Sequence, residues 1–354
     1  MSQSHREEIA RRLRPIRPPR VVDDVLATDQ LESVLDLVRR HGPWDSILKH
    51  HFASLEELVA TTSGGVPADA NASLDHFLTP TFRGFLASGG VCLYPEAESI
   101  FYDARFLAWV RAFWNARYAR PMKILFNVNG PAWNHDPGHL DSPRFRGLDI
   151  ANTPTWLLGV MGKSGLFQPW SIRLAEVIVW FQKDADGGGF TYWPDGPLAP
   201  PARLVPPLWN RGVVTHNTAM FHRGESNGPP AERDNPAGLA FDSTFSGDPD
   251  DPDGWVIRTG DRVIARLATD RLRLLVHWDA ELYTDLADLK RHVDHTDDLG
   301  IDRVFETFVA DLEAKGVDFE TPSDPMRDPR FIALLARTYD VPPSAYPEEA
   351  PHGR

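Results

Sequence analysis

The sequence predicts an α+β fold with a mainly β core: an antiparallel barrel or jelly roll, cupin-like in form, buttressed by N- and C-terminal helices. Three observations carry this. Apolar residues recur at three and four positions before about residue 120 and again after 284, the spacing of amphipathic helices. Between those limits the period changes to two, with branched and aromatic residues in short runs. Gly, Pro and Asn clusters separate the runs at turn-like intervals.

In chain order, residues 1–20 are rich in arginine, contain Glu7 and Glu8, lack an apolar core of signal-peptide length, and read as a flexible or wrapping arm. Asp29 and Glu32 then form a capping box ahead of a stripe made by Leu31, Val34, Leu35 and Val38. Gly42-Pro43 stops that helix. Residues 54–60 are a second short helix and 61–72 a loop. The strongest helix of this half is 103–120, carrying Phe106, Leu107, Val110, Phe113, Trp114 and Tyr118, and Pro121 ends it.

Strands are expected at 123–129, with Asn127 and Asn129 on one face, and at 173–181, with a short helix at 153–161 between them. Gly187-Gly188-Gly189 leads into a strand through Tyr192 and Trp193 that a turn closes at 194–197. Residues 211–216 and 219–222 are expected to pair around Asn217-Thr218, and 255–258 with 262–267 around Thr259-Gly260-Asp261; 271–278 is the last strand. The Gly, Pro, Asp and Asn composition of 224–254 marks an insertion loop, a candidate lid. Helices return at 285–292, 301–315 and 328–339, before a tail. The chain thus divides into 1–120, an arm and helices; 121–283, the β core; and 284–354, helices and tail, all one structural unit.

Composition excludes several classes. With 354 residues, 42% hydrophobic and 25% charged, the chain is an ordinary globular protein able to bury a sizeable core. Its 50 acidic against 37 basic residues give a net charge of −13, the wrong sign for a nucleic-acid backbone. Cys92 is the only cysteine, which excludes an intramolecular disulfide and a thiolate zinc cluster. No run of about 18 apolar residues is present to cross a membrane. A cytoplasmic location, a small-molecule partner and no membrane or nucleic acid are the expectations, and a homodimer is left open.

Chemistry concentrates at His139 and Asp141, whose spacing places imidazole and carboxylate on one face of an extended strand. The chain contains three further His-x-Asp triplets, at His277, His292 and His295. Those at His292 and His295 lie in a polar run beside helical sequence, and no strand follows His277 to bring back a second histidine. After His139, by contrast, several strands precede His222 at the end of the short apolar run Ala219-Met220-Phe221. Two histidines and a carboxylate suit a divalent first-row metal and, as a facial set, leave the opposite positions open. His216 reads as a structural histidine; His135, just before the doublet, is open between a supporting and a surface role.

His139-Leu140-Asp141, His222-Arg223-Gly224, the glycine-rich entry to Tyr192-Trp193-Pro194-Asp195-Gly196, and Arg271 resemble the Fe(II)/2-oxoglutarate-dependent dioxygenases. The likeness is to their phytanoyl-CoA-dioxygenase-like branch, which includes bacterial natural-product hydroxylases, and it spans roughly 123–278. It implies a double-stranded β-helix with iron at the barrel mouth, held by His139, Asp141 and His222. It also implies that O2 and 2-oxoglutarate are consumed, succinate and CO2 released, and an unactivated C–H bond of a metabolite hydroxylated, desaturated or cyclised. The cosubstrate's far carboxylate needs a fixed guanidinium, which lysine does not replace. The family motif is often Arg-x-Ser; here Arg271-Leu272-Arg273 replaces the serine, so Arg271 comes first and Arg273 second, with Arg233 also noted. Asn127, Asn129, Trp133, Arg144, Arg146, Tyr192 and Trp193 are candidates for lining the mouth. Two other classes stay open: a cupin-like metal oxygenase or isomerase without 2-oxoglutarate, and a non-enzymatic binding barrel.

Overall fold

Side-chain alternation decides the centre of the molecule. In the strand Ser171–Gln182, Ala175, Val177, Val179 and Phe181 point to one face, while Glu176, Ile178, Trp180 and Gln182 point to the other. Arg273–Tyr283 repeats the pattern, with Leu274, Val276, Trp278, Ala280 and Leu282 on the apolar face and Arg273, His277 and Asp279 opposite. Tyr118–Asn129 does the same with Ile124, Phe126 and Val128 against Lys123, Asn127 and Asn129. The register aligns these polar positions in rows: Arg273 beside Asn129, His277 beside Ile178 and Leu125, and Asp279 between Lys123 and Glu176. One face of the resulting sheet is therefore a core and the other a chemical surface.

The computed structural model describes residues 3–62, 74–134, 136–183 and 186–343. Its largest sheet is antiparallel, in the order Arg20–Asp23, Leu208–Thr215, Ser171–Gln182, Arg273–Tyr283, Tyr118–Asn129, Thr81–Ser88, Val91–Cys92. Helices Thr28–Arg40 and Ala104–Trp114 cover the apolar face through Val34, Leu37, Val38, Phe106, Val110 and Phe113. A three-stranded sheet of His222–Gly224, Phe190–Tyr192 and Ala202–Leu204 packs on the polar face, where Phe190 and Leu204 meet Ile178, Trp180 and Val213. Helices Thr155–Ser164, Ile301–Ala314 and Pro329–Tyr339 share a second core at the side. There the Lys163 ammonium, 1% exposed, donates to Ala60 O at 3.1 Å and pairs with Asp340 at 3.2 Å.

Several expectations are corrected. The first third is not only helical: Arg20–Asp23, Thr81–Ser88 and Val91–Cys92 join the main sheet, and Trp44–Asp45 pairs with Thr244–Gly247. The helix expected to run to residue 120 ends at Asn115 in a left-handed conformation (φ 52°), and the strand starts at Tyr118. Pro121 lies inside that strand, beside the register shift at Asp279/Ala280 that frees it from a regular ladder position. Residues 211–216 and 219–222 are not hairpin partners, because Leu208–Thr215 and His222–Gly224 belong to different sheets and the chain crosses between them. The segment 224–254 is not all loop: Phe245 is fully buried, stacked on Phe82 at 5.5 Å and Trp255 at 5.0 Å. Among the described residues no helix is long and apolar enough to cross a membrane.

Close packing at the sheet edge generates a stability prediction. A methyl group on Gly84 would sit 2.4 Å from the Trp44 ring and 2.5 Å from Phe126, both rings held in the core. Gly84→Ala is expected to cost about 1–3 kcal/mol by overpacking, read as a lower urea midpoint with an unchanged slope. An unaltered midpoint would contradict the packing described.

Candidate metal centre

The histidines meet because their backbones pair. His139 N–H donates to His222 O and His222 N–H to His139 O, each at 3.0 Å, forming an antiparallel bridge. Residues opposite one another project to the same side, and the two imidazole centroids are 4.4 Å apart. Asp141, two positions along from His139, returns to that side, its own N–H donating to Asn217 O at 3.1 Å. Asp141 Oδ1 lies 3.9 Å from His139 Nε2 and 3.8 Å from His222 Nε2. These three ligand atoms fall within 4.8 Å of one another, the one such group among the described residues.

The remaining ring nitrogens fix the orientation. His139 Nδ1 is hydrogen-bonded to the Asp136 carboxylate, which also accepts from Gly138 N–H at 2.9 Å. His222 Nδ1 donates to Met220 O at 3.1 Å. Both Nε2 atoms thereby carry the lone pair on the Asp141 side, where His222 Nε2 also accepts a long 3.3 Å hydrogen bond from Asn217 Nδ2; in such an arrangement a second partner sets the tautomer of a ligating histidine. Asp141 Oδ2 is buried with no hydrogen-bond partner, a state a coordinated cation would relieve. Two imidazoles, a carboxylate and an orphaned oxygen fit a divalent first-row ion.

Charges around this set are displaced from their usual ranges. Burial raises the Asp141 carboxyl, but His222, His277 and His139 outweigh it and hold the group well below the carboxylate range. Burial followed by the charge of Asp141 drives Glu176 well up, and its Oε2 accepts the Asn217 N–H at 3.0 Å. Burial lowers His222 and His277 to about 4. His139 is opposite: Asp136 and then Asp141 outweigh burial and raise it.

The three arginines expected for the cosubstrate carboxylate separate. Arg273 is 8% exposed; its Nε donates to Gly188 O at 3.2 Å and its Nη2 is buried without a partner. Its guanidinium runs beside Gly224, where an added Cβ would lie 3.6 Å from Nη2, and Gly224 follows His222 by two residues. Burial lowers its pKa to about 10, with Glu225 opposing. Arg271 instead occupies a short 3-10 turn before the strand, its side chain 36% exposed and ion-paired to Glu232. Arg233 is buried, donates to Gly228 O at 2.8 Å and stacks over Trp133 at 5.0 Å.

The expected lining residues separate. Asn127 faces the region and accepts from Arg83 Nε at 2.7 Å. Tyr192 pairs with His222 across the small sheet. Asn129 is engaged with Asn227 at 2.6 Å, and Trp133 with Asp234 at 3.1 Å. Arg144 is bound to Asp279 at 3.1 Å and lies 3.6 Å from Glu281; Arg146 is bound to Asp297 at 2.7 Å, anchoring the C-terminal segment. Trp193 is 1% exposed in a core with Ile9, Ala10, Leu13, Leu140, Phe221 and Val341. The first three of those belong to the helix Gln3–Arg12 and the residue following it, so the N-terminal arm braces Leu140 and Phe221, neighbours of all three donors. His216 donates no ligand atom to the group; it meets Trp114 edge-on at 4.7 Å. His135 lies outside the described residues. Sequence reasoning passed over Asp136, Glu176, His51 and Arg83, and weighed His277 only as a metal ligand before setting it aside. Of these, His277 carried a signal, a polar residue at an inward position of an alternating strand.

No family model and no curated protein matches this chain. Solved structures resemble it distantly. An oxidoreductase of the 2OG-Fe(II) oxygenase family from Burkholderia pseudomallei has a TM-score of 0.39 and 13% identity, covering 80% of this chain and 94% of its own. The α-ketoglutarate-dependent epimerase SnoN of nogalamycin biosynthesis gives 0.35 and 14%, covering 82% and 90%. A prolyl 4-hydroxylase from Phytophthora capsici gives 0.36 and 12%, covering 96% and 91%. Likenesses of this size carry no argument about activity, which rests on the residues above.

The buried histidines make stability depend on pH. His222 and His277 are held near 4, whereas the unfolded chain takes up protons at about 6.5. Between those values the unfolded state binds more protons, so their contribution is complete above the unfolded value and disappears as pH falls toward 4. The melting temperature of metal-free protein should drop steeply from about pH 6.5 to 4, and less steeply in His277→Gln. Coincident profiles for the two proteins would contradict neutral burial of His277.

Proposed function

We propose that the protein is an Fe(II)/2-oxoglutarate-dependent oxygenase acting on a C–H bond of a small-molecule metabolite. The observation that carries this reading is the conjunction of two unsatisfied features on adjacent backbone: the His139–Asp141–His222 donor set, with Asp141 Oδ2 orphaned, and the buried guanidinium of Arg273 beside Gly224. A metal site alone suits many chemistries. A metal site with a fixed, unneutralised fork at its side suits a chelating dicarboxylate.

Iron(II) held by His139, Asp141 and His222 would supply activation of O2 coupled to oxidative decarboxylation of the 2-oxo acid. The chain's own residues do the rest. Asp136 and the Met220 carbonyl keep both imidazoles in the tautomer that offers Nε2. Arg273, with Nη2 unpartnered, holds the far carboxylate; Gly224 leaves it room, since a side chain there would press on the guanidinium. Arg273 thus takes the role expected first of Arg271, whose charge is spent on Glu232 at the surface. Asp141 occupying the carboxylate position supports oxygen transfer over halogenation. Hydroxylation by a member of the phytanoyl-CoA-dioxygenase-like branch, on a double-stranded β-helix made by the two facing sheets, is the finer form of the proposal. The net charge of −13 supports a small substrate over a nucleic acid.

Anaerobic titration with Fe(II) and then 2-oxoglutarate tests the assignment through the weak visible charge-transfer band of the chelate. The band should develop in the wild type. Arg273→Gln should weaken 2-oxoglutarate binding by about 2–4 kcal/mol, the loss on removing one side of a buried charged pair, while Arg271→Ala changes it little. The reverse order would return the role to Arg271. Iron binding with no band at any 2-oxoglutarate concentration would overturn the cosubstrate and favour a cupin-like oxygenase.

A further inference from the structure

We infer that Arg83 is a substrate-anchoring residue and that the substrate carries a carboxylate, received end-on by the Nη1/Nη2 edge of this guanidinium. The inference rests on the proposed function for its meaning and on separate residues for its geometry.

Arg83 projects from the polar face of the main sheet, directly across the ladder from Asn127, on the strand Thr81–Ser88. Its Nε donates to Asn127 Oδ1 at 2.7 Å, and its Nη1 is hydrogen-bonded to His51 Nε2. Both partners are neutral: Asn127 is an amide, and burial followed by the charge of Arg83 keeps His51 well below its ordinary range. A guanidinium has five N–H donors. With one used on Nε and one on Nη1, three remain, one on Nη1 and two on Nη2, and the Nη1/Nη2 pair forms the terminal edge that makes parallel bonds to a carboxylate. Among the described residues Nη2 has no hydrogen-bond partner and no carboxylate lies within ion-pair distance of Arg83.

An arginine kept only for structure is normally paired, because burying an uncompensated cation is costly. Arg83 is half-buried; burial lowers its pKa to about 10, and the one charge that opposes it is that of Asp141. Asp141 belongs to the donor set, so a bound divalent cation would draw on that negative charge and leave Arg83 still less neutralised. Lys123, the other cation in this region, is already matched by Asp279 at 2.9 Å. Arg83 is therefore the cation on the Asn127 side that lacks a counter-charge, as Arg273 is beside Gly224. A chelating 2-oxo acid would satisfy Arg273 and leave Arg83 for the substrate. In a protein of net charge −13, such a local cation also offsets the repulsion that an anionic substrate meets on approach.

The test needs neither iron nor oxo acid, so failure of the cosubstrate assignment leaves it readable. Acetate and benzoate are titrated calorimetrically into metal-free full-length protein, with benzamide as the uncharged analogue and inorganic phosphate as the alternative oxyanion. Wild type, Arg83→Gln, Arg83→Lys and Arg273→Gln are compared. The expected result is carboxylate binding at two sites in the wild type, one weakened at least tenfold in Arg83→Gln and the other in Arg273→Gln, with no benzamide binding. Arg83→Gln should also melt no lower than wild type, because it removes an unmatched charge, whereas loss of a purely structural arginine would lower melting. If that variant fails to fold, Arg83→Lys carries the comparison: it keeps the charge, loses the fork and should bind several-fold more weakly. Undiminished carboxylate affinity at both sites in the Arg83 variants, binding of phosphate but not carboxylate, or no carboxylate binding to the wild type would each overturn the inference.

Discussion

The two backbone hydrogen bonds between His139 and His222, each 3.0 Å, are the constraint on which the site depends. They join a chain segment entering the polar face of the main sheet to one returning 83 positions later (222 − 139), and they do so in register. A slip of one residue would turn one imidazole to the opposite side. Much of the surrounding structure acts against such a slip. Leu140 and Phe221, the neighbours of the donors, are clamped in a small core by the N-terminal helix, Trp193 and Val341. Asn217 ties the crossing between the sheets to both, accepting from Asp141 N–H and donating its own N–H to Glu176.

The main sheet separates stability from chemistry by the parity of its strands. One face carries the largest apolar core and is sealed by helices. The other accumulates groups that no stability argument would place together: Glu176, His277, Asp279, Lys123, Arg273 and Arg83. Part of this set is mutually compensated, as in Lys123 and Arg144 on Asp279. Other groups keep unpartnered atoms, among them Asp141 Oδ2, Arg273 Nη2 and His277 Nε2. Unmatched polar groups gathered at one place mark function more sharply than any single member, since each costs stability that ligands would return.

Much of the fold was legible because it follows from periodicity. Helices striped by Val34 and Val38 or by Phe106, Val110 and Phe113, and the long strands of the centre, were visible as repeats of three to four and of two. What was missed was tertiary. The strand Thr81–Ser88 is short, interrupted by Gly84, and lies among helical signals, so the strand that brings in Arg83 read as featureless. Phe245 was hidden in a run of Asp, Gly and Pro, although an aromatic in such a run is itself a sign of burial. Arg271 and Arg273 share one face by alternation, and only the position where the strand begins distinguishes the exposed from the buried one. Arg144 and Arg146 looked free in sequence because their partners, Asp279 and Asp297, lie more than a hundred residues away.

The most direct measurement is an anomalous difference map from crystals loaded anaerobically with Fe(II). The account predicts one strong peak bounded by His139 Nε2, His222 Nε2 and the Asp141 carboxylate, at about 2.0–2.2 Å from each, the range for first-row ions with imidazole and carboxylate. A peak held by other residues, or none at full iron loading, would contradict it.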